Sequence, residues 1–395
     1  MPVKVEAQIN PELLVWARQS AGLDCDSAAK KVPVKPERLE AWERGDGRPT
    51  VKQLRKLARG YKRPLALFYL SEPPTDFQPM HDFRRLPGEI AGVESPQLKF
   101  EIRRALNRGD IALELFESAR GQPKEFTLTA EMDDDPDELA FRIRSTLGVD
   151  LSTQVSWRAG YESFNGWRAA IERLDILVFQ LTDVALSETR GFSISHLSLP
   201  VIAVNIKDPP TARSFSLIHE LIHLMLRRGG ICDLDEHTAR APEELRTEVF
   251  ANMVAGATLL PRDAVLIDPD VRGKRASHTW QDDELQRLAD KYGVSREAML
   301  RRLLILGRTT EAFYLQKRDQ FQLEYVKRHA TREPGFAPPH RIAISSAGMV
   351  FVQVVLANYY QQNITASDVA DFLEVKLKHL AKIEAEVFGR GGIAA

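Results

Sequence analysis

Cysteine is nearly absent: Cys25 and Cys232 are the only two in 395 residues. That excludes a disulfide framework and a cysteine-rich zinc site, so any metal held by this chain must use His, Asp or Glu. Long apolar runs are missing as well. No stretch of about 18 apolar residues could cross a bilayer, and the N-terminus MPVKVEAQINPELL carries no signal-peptide core. The expectation is a cytoplasmic protein with no membrane contact. There is no fixed-period repeat and no low-complexity tract to suggest a solenoid or a disordered chain.

What remains is a globular composition, 44% hydrophobic and 28% charged, on a chain long enough for two to three domains. The net charge of −1 hides an uneven distribution. Residues 1–70 hold 14 Lys+Arg against 8 Asp+Glu, a surplus that permits contact with phosphates without demanding it.

Along the chain, residues 10–70 read as short helices. Asn10 and Pro11 open a first helix with Leu13, Leu14 and Ala17 on one face, and Asp26 to about Lys31 forms a second. PERLEAWERG carries Leu39 and Trp42 three apart before Gly45, and Thr50 caps a fourth helix that buries Val51, Leu54, Leu57 and Ala58. SEPPTDFQP, residues 71–79, has linker composition. From Pro96 the pattern is helical again, with Leu98, Ile102 and Leu106 in a stripe. WRAAIERL is helical, ILVFQL and PVIAVNI are strands, and the chain beyond Pro261 returns to helices. The fold class is α+β, mostly helical. PVIAVNI fits two roles equally: an ordinary interior strand, or an edge to which an extended substrate could add a strand.

The chemistry concentrates in FSLIHELIHLML, residues 215–226. Residues four apart share a helix face, so His219 and His223 can present ring nitrogens to one ion, while Glu220 lies beside that face as a general base would. The rival is an amphipathic helix whose polar edge spells the same letters. A catalytic zinc needs a third protein ligand and an open position for water. Asp233, Asp235, Glu236, His237, Glu243, Glu244 and Glu248 all lie downstream, whereas Leu226 and Gly229 exclude the elongated three-histidine motif. Glu248 is the best placed, because Ala251, Ala255 and Leu259 make an apolar stripe on its own helix. Asn252, one turn on, is a candidate to support the ligands from behind. His237 and Tyr292 are the candidates for stabilising an oxyanion, each with an ordinary structural role as its alternative.

These residues carry a resemblance. PVIAVN, ARSFSLIHELIHLML and TEVFANMVAGATLLP, between Pro200 and Pro261, resemble the ImmA/IrrE family of bacterial zinc metallopeptidases, with Ser216 where Thr is usual and Val254 where Phe is usual. The resemblance implies a zincin-like fold, Zn2+ held by His219, His223 and Glu248, and Glu220 as the catalytic base of a metallo-endopeptidase.

The N-terminal segment NPELLVWARQSAGLDCDSAAKKVPVKPERLEAWERGDGRPT resembles the XRE helix-turn-helix class, with WERG and the following PT as its best markers. The resemblance implies that the third helix enters a DNA major groove. Cys25, Pro36, Glu37, Glu40 and Ala41 stand where that class usually holds Gln, Ser or Arg. Lys35, Arg38, Arg44 and Arg48 are the candidates to grip phosphates; the alternative is a helix-turn-helix kept for protein contacts.

The expected organisation is a helix-turn-helix domain at 1–70, a linker at 71–95, a zincin-like metallopeptidase domain with a helical N-terminal part at 96–310, and a helical region at 311–395. The resemblance implies a protein substrate, a helix-turn-helix repressor of stress-response or mobile-element genes, with DNA as a further partner and a homodimer as one arrangement. Two rivals stand beside it: a DNA-binding regulator whose zinc fold senses without cutting, and the antitoxin half of a two-gene module.

Overall fold

The computed structural model describes residues 6–74, 95–157, 159–195, 198–227, 231–232, 242–274, 279–330 and 337–391. The linker expected at 71–95 therefore lies almost wholly outside the described residues. Those residues form two compact units, one of residues up to 74 together with 95–104, the other from 105 onward.

The first unit is all-helical: α1 (Pro11–Ser20), α2 (Cys25–Lys31), α3 (Pro36–Arg44), α4 (Val51–Gly60), a 3-10 turn at Leu65–Tyr69 and the start of α5 (Pro96–Arg120). Local chemistry fixes the helix ends. Asn10 accepts the backbone N–H of Glu12 ahead of Pro11, Asp24 accepts that of Ser27, and Thr50 and Gln53 cap α4 reciprocally. Gly45 ends α3 at φ +84°, a left-handed cap that glycine adopts without strain. Leu13, Leu14, Ala17, Leu39, Trp42, Leu54 and Leu57 close the core. Arg18 of α1 clamps Glu43 of α3 through Nε at 2.8 Å and a second nitrogen at 2.9 Å.

The second unit is α+β and mostly helical. After α5 come α6 (Pro136–Leu147), α7 (Leu151–Ser156) and α8 (Tyr161–Glu172). Then β1 (Leu177–Leu181), β2 (Gly191–Ile194), β3 (Val201–Asn205), α9 (Pro210–Met225), β4 (Ile231–Cys232) and α10 (Pro242–Leu259) follow. Behind them run α11 (Arg262–Ile267), α12 (Pro269–Arg272), α13 (Asp282–Tyr292), α14 (Arg296–Ile305), α15 (Glu311–Ala330), α16 (Pro339–Ala347), α17 (Met349–Tyr360), α18 (Ala366–Phe372) and α19 (Leu380–Gly391). No single helix among the described residues is long and apolar enough to cross a membrane.

The sheet order is β1-β3-β2-β4. β3 runs parallel to β1, with Leu177 beside Val201, and antiparallel to β2, with Gly191 beside Val204. Both sides of PVIAVNI are therefore paired: it is an interior strand, and an extended substrate cannot add to it. The outer edge of β1 is covered as well. Arg168 of α8 donates to the carbonyl of Val178 and to that of Ser345, and Gln180 donates to Ser345. The C-terminal helices thus pack on the same sheet, and the exposed-edge hazard of an unpaired strand is removed.

Candidate metal centre

α9 is apolar nearly all round and buried from Ser216 to Met225, as expected of a helix enclosed on every side. The sheet supplies one wall through Ile202 and Val204. α8 supplies Phe164, Trp167 and Ile171, and α10 supplies Ala251, Val254 and Ala255. Pro210 in the first turn starts the helix without wasting an N–H. Arg213 fastens that first turn: it donates to Gln180 Oε1 at 2.6 Å and lies over the rings of Tyr161 and Phe164 at 5.1 and 4.9 Å.

Against this frame α10 approaches closely because Ala251 and Ala255, both wholly buried, present only methyl groups. Glu248, one turn earlier, reaches the histidines. The Nε2 atoms of His219 and His223 stand 3.1 Å apart. His219 Nε2 is 3.3 Å from one oxygen of Glu248, and His223 Nε2 is 3.4 Å from the other. All three residues are buried.

Two imidazole nitrogens 3.1 Å apart are held either by a shared N–H, which depends on the tautomers, or by a cation that both lone pairs meet. Glu248 adds an acceptor-only group to the same point. Burial pushes its carboxyl upward, but hydrogen bonding from His219 and His223, and their charge when the rings are protonated, outweigh this and hold it well below the usual carboxylate range. Geometry agrees with the chemistry. Metal–ligand distances of about 2.0–2.1 Å in a tetrahedral shell place neighbouring donors about 3.3–3.4 Å apart, close to the three separations here. The donor set therefore fits a divalent cation such as zinc, two nitrogens and a carboxylate, with room in a four-coordinate shell for one further ligand. Outside this group, the described residues contain no other cluster of three or more His, Cys, Asp or Glu side chains arranged to share a metal ion.

Residues 171–304 match the family model of the IrrE N-terminal-like domain, a peptidase M78 family. The match runs from the end of α8 to α14 and contains His219, Glu220, His223 and Glu248. It supports the resemblance to the ImmA/IrrE family and a metallopeptidase-like role for a domain with a zincin-like fold. No curated protein matches the chain.

Glu220 is 1% exposed and rests against β2. A Cβ added to Gly191 would stand 3.2 Å from Glu220 Oε1 and 2.7 Å from the carbonyl of Ala203. Asn252 is buried one turn beyond Glu248. Glu243 and Glu244 lie in the first turn of α10, away from the cluster, while Asp233, Asp235, Glu236 and His237 lie outside the described residues. Tyr292 is committed elsewhere: its hydroxyl donates to the Ala264 carbonyl at 3.0 Å and is 3.4 Å from Asp268, a structural role in the α11–α13 corner.

Two residues were missed by the motif. Gly191 has a signal, a lone glycine among β-formers, which often marks a close approach of another group to the strand. Phe215, four residues before His219, stacks on its ring with centroids 6.4 Å apart and remains partly exposed, which makes it an apolar wall beside the histidine. In the first unit Lys35, Arg38, Arg44 and Arg48 are exposed. Arg44, however, is paired with Asp46 at 3.0 Å and Glu40 at 3.8 Å, and Arg38 lies over the Trp42 ring at 5.5 Å.

Proposed function

We infer that this protein is a zinc-dependent endopeptidase that cleaves a regulatory protein, a helix-turn-helix transcriptional repressor. The observation that carries the reading is the convergence of His219, His223 and Glu248 on one point, with Glu220 adjacent on the same helix. His219, His223 and Glu248 hold the metal. A zinc ion held there would supply Lewis-acid chemistry, lowering the pKa of a water and polarising a peptide carbonyl. Glu220 takes the proton from the attacking water and returns it to the leaving amine. Gly191 leaves the space that Glu220 occupies, and the stack of Phe215 on His219 fixes the orientation of that ring. Asn252 supports the α10 side of the site from one turn behind Glu248. The helix-turn-helix segment at 1–70 brings the peptidase domain to its target, by contact with DNA or with the repressor.

The experiment compares Glu220→Gln with His219→Ala, scoring bound metal and cleavage of a repressor encoded beside this protein. The first keeps its metal and loses cutting; the second loses both. Cutting by Glu220→Gln at the parental rate would overturn the mechanism.

A further inference from the structure

The charge surplus of the N-terminal segment is not where a base-reading helix would use it. Residues 1–46, which include α1 to α3, hold seven Lys+Arg against eight Asp+Glu, whereas residues 47–70 hold seven against none. All of the surplus therefore belongs to α4 and its flanks. On α4, Lys52, Arg55, Lys56 and Arg59 follow one another at spacings of three, one and three, which places them on one side of the helix. All four are exposed, while Leu54, Leu57 and Ala58 on the other side are buried. No ion pair engages any of the four among the described residues. α2 adds to the same patch, because the aliphatic stem of Lys31 crosses α4 at Gly60, within 3.3 Å of where a Cβ would stand, and Lys31 is itself exposed.

Like charges three and four apart on a helix repel, and Lys52 near the positive N-terminal end adds to that cost. Glutamate at any of these positions would relieve it, as Glu40 does for Arg44 on α3. A face left wholly cationic is complementary to a polyanion. The row from Lys52 to Arg59 is about 10 Å long at 1.5 Å per residue, and over that length of axis a duplex carries about three phosphates on each strand, one for about every 3.4 Å. It carries no aromatic residue on which the bases of a single strand could stack, so a rigid duplex fits it best. The α3 surface presents Glu37 and Glu40, and its Arg44 is already paired.

We propose that the N-terminal unit binds duplex DNA, without reading its sequence, through the basic face of α4 formed by Lys52, Arg55, Lys56 and Arg59. The proposal rests on the reading that this unit contacts DNA, and moves that contact from α3 to α4. Contacts of this kind position a protein on a duplex but do not select a site.

The test uses the full chain and a fluorescent 25-base-pair duplex of arbitrary sequence, with affinity followed against salt. Four phosphate contacts give a slope of log K against log salt of about −3.6. Arg55→Gln with Lys56→Gln brings it to about −1.8, while Arg38→Ala with Arg44→Ala leaves it unchanged; circular dichroism verifies that both variants are folded. A slope that moves only with the α3 variant overturns this proposal and keeps a DNA-reading α3. No duplex binding by the parent overturns both. Tighter binding of polyglutamate than of the duplex, at equal charge and salt, overturns it too, by making an acidic protein the better occupant.

Discussion

Gly191 of β2 lies directly beneath Glu220 of α9: a methyl group added to the glycine would stand 3.2 Å from the carboxylate and 2.7 Å from the neighbouring backbone carbonyl of Ala203. Contacts that short force the side chain or the strand to move. Gly191→Ala is expected to cost about 1–3 kcal/mol through overpacking and to displace Glu220. Metal content should stay at the parental level while kcat falls. Parental kcat in a folded variant would show that the position of Glu220 is not critical.

Glu220→Gln removes the proton acceptor and preserves the shape of the side chain. A general base of this kind contributes about 10²–10⁴-fold, so kcat should fall within that range with little change in metal binding. Loss of metal together with activity would instead make Glu220 part of the site's structure.

Metal removal should register as lost stability, because a ligand that binds only the folded state stabilises it by RT ln(1 + [L]/Kd). At a free concentration one hundred times Kd the effect is about 2.7 kcal/mol. Adding a chelator is expected to lower the thermal midpoint of the parent, and readdition of Zn2+ to restore it. In Glu248→Ala both responses should shrink, since the carboxylate that stands 3.3 and 3.4 Å from the two histidine nitrogens is gone. An equal chelator response in parent and variant would place the metal elsewhere.

Tyr292→Phe separates structure from catalysis. Its hydroxyl bonds to the Ala264 carbonyl, so the substitution should cost about 1 kcal/mol of stability and leave kcat and KM unchanged. A fall in kcat alone would return Tyr292 to the reaction.

The pH dependence of stability should include a contribution from the polar seam between α13, α14 and α15. Asp282 accepts from Lys317 at 2.8 Å and from Gln320 at 2.9 Å, and Glu324 accepts from Gln320 at 2.8 Å and from Arg296. Those hydrogen bonds hold both carboxyls below their ordinary values. A depressed folded-state pKa stabilises above the unfolded value, about 4, and the stabilisation is lost as pH falls through the folded one. Both groups are solvent-accessible, so the pair is worth at most about 1 kcal/mol. Urea unfolding at pH 7, 5 and 3.5 should show the parent losing more stability on acidification than Lys317→Met; parallel losses would remove the seam from the account.

The site was legible in the sequence to the extent that it is local. Four-residue spacing alone puts His219 and His223 on one face, and the alanine stripe of α10 marks the helix that carries Glu248. Caps at Asn10 and Thr50 and the apolar runs of β1 and β3 are local in the same way. What escaped depends on contacts distant in sequence. GFSI is too short to show alternation, so β2 went unread, and with it the support beneath Glu220. That β3 is interior follows from pairing with two strands, which its own residues do not encode. Arg168 and Gln180 reach Ser345 across more than 160 residues, so the packing of the C-terminal helices on β1 had no local signature.

The most direct measurement is anomalous diffraction at the zinc edge from crystals of the full chain grown with Zn2+. One strong peak is expected about 2 Å from His219 Nε2, His223 Nε2 and an oxygen of Glu248, absent in His219→Ala. A well-ordered site with no peak there, or a peak held by other residues, would contradict it.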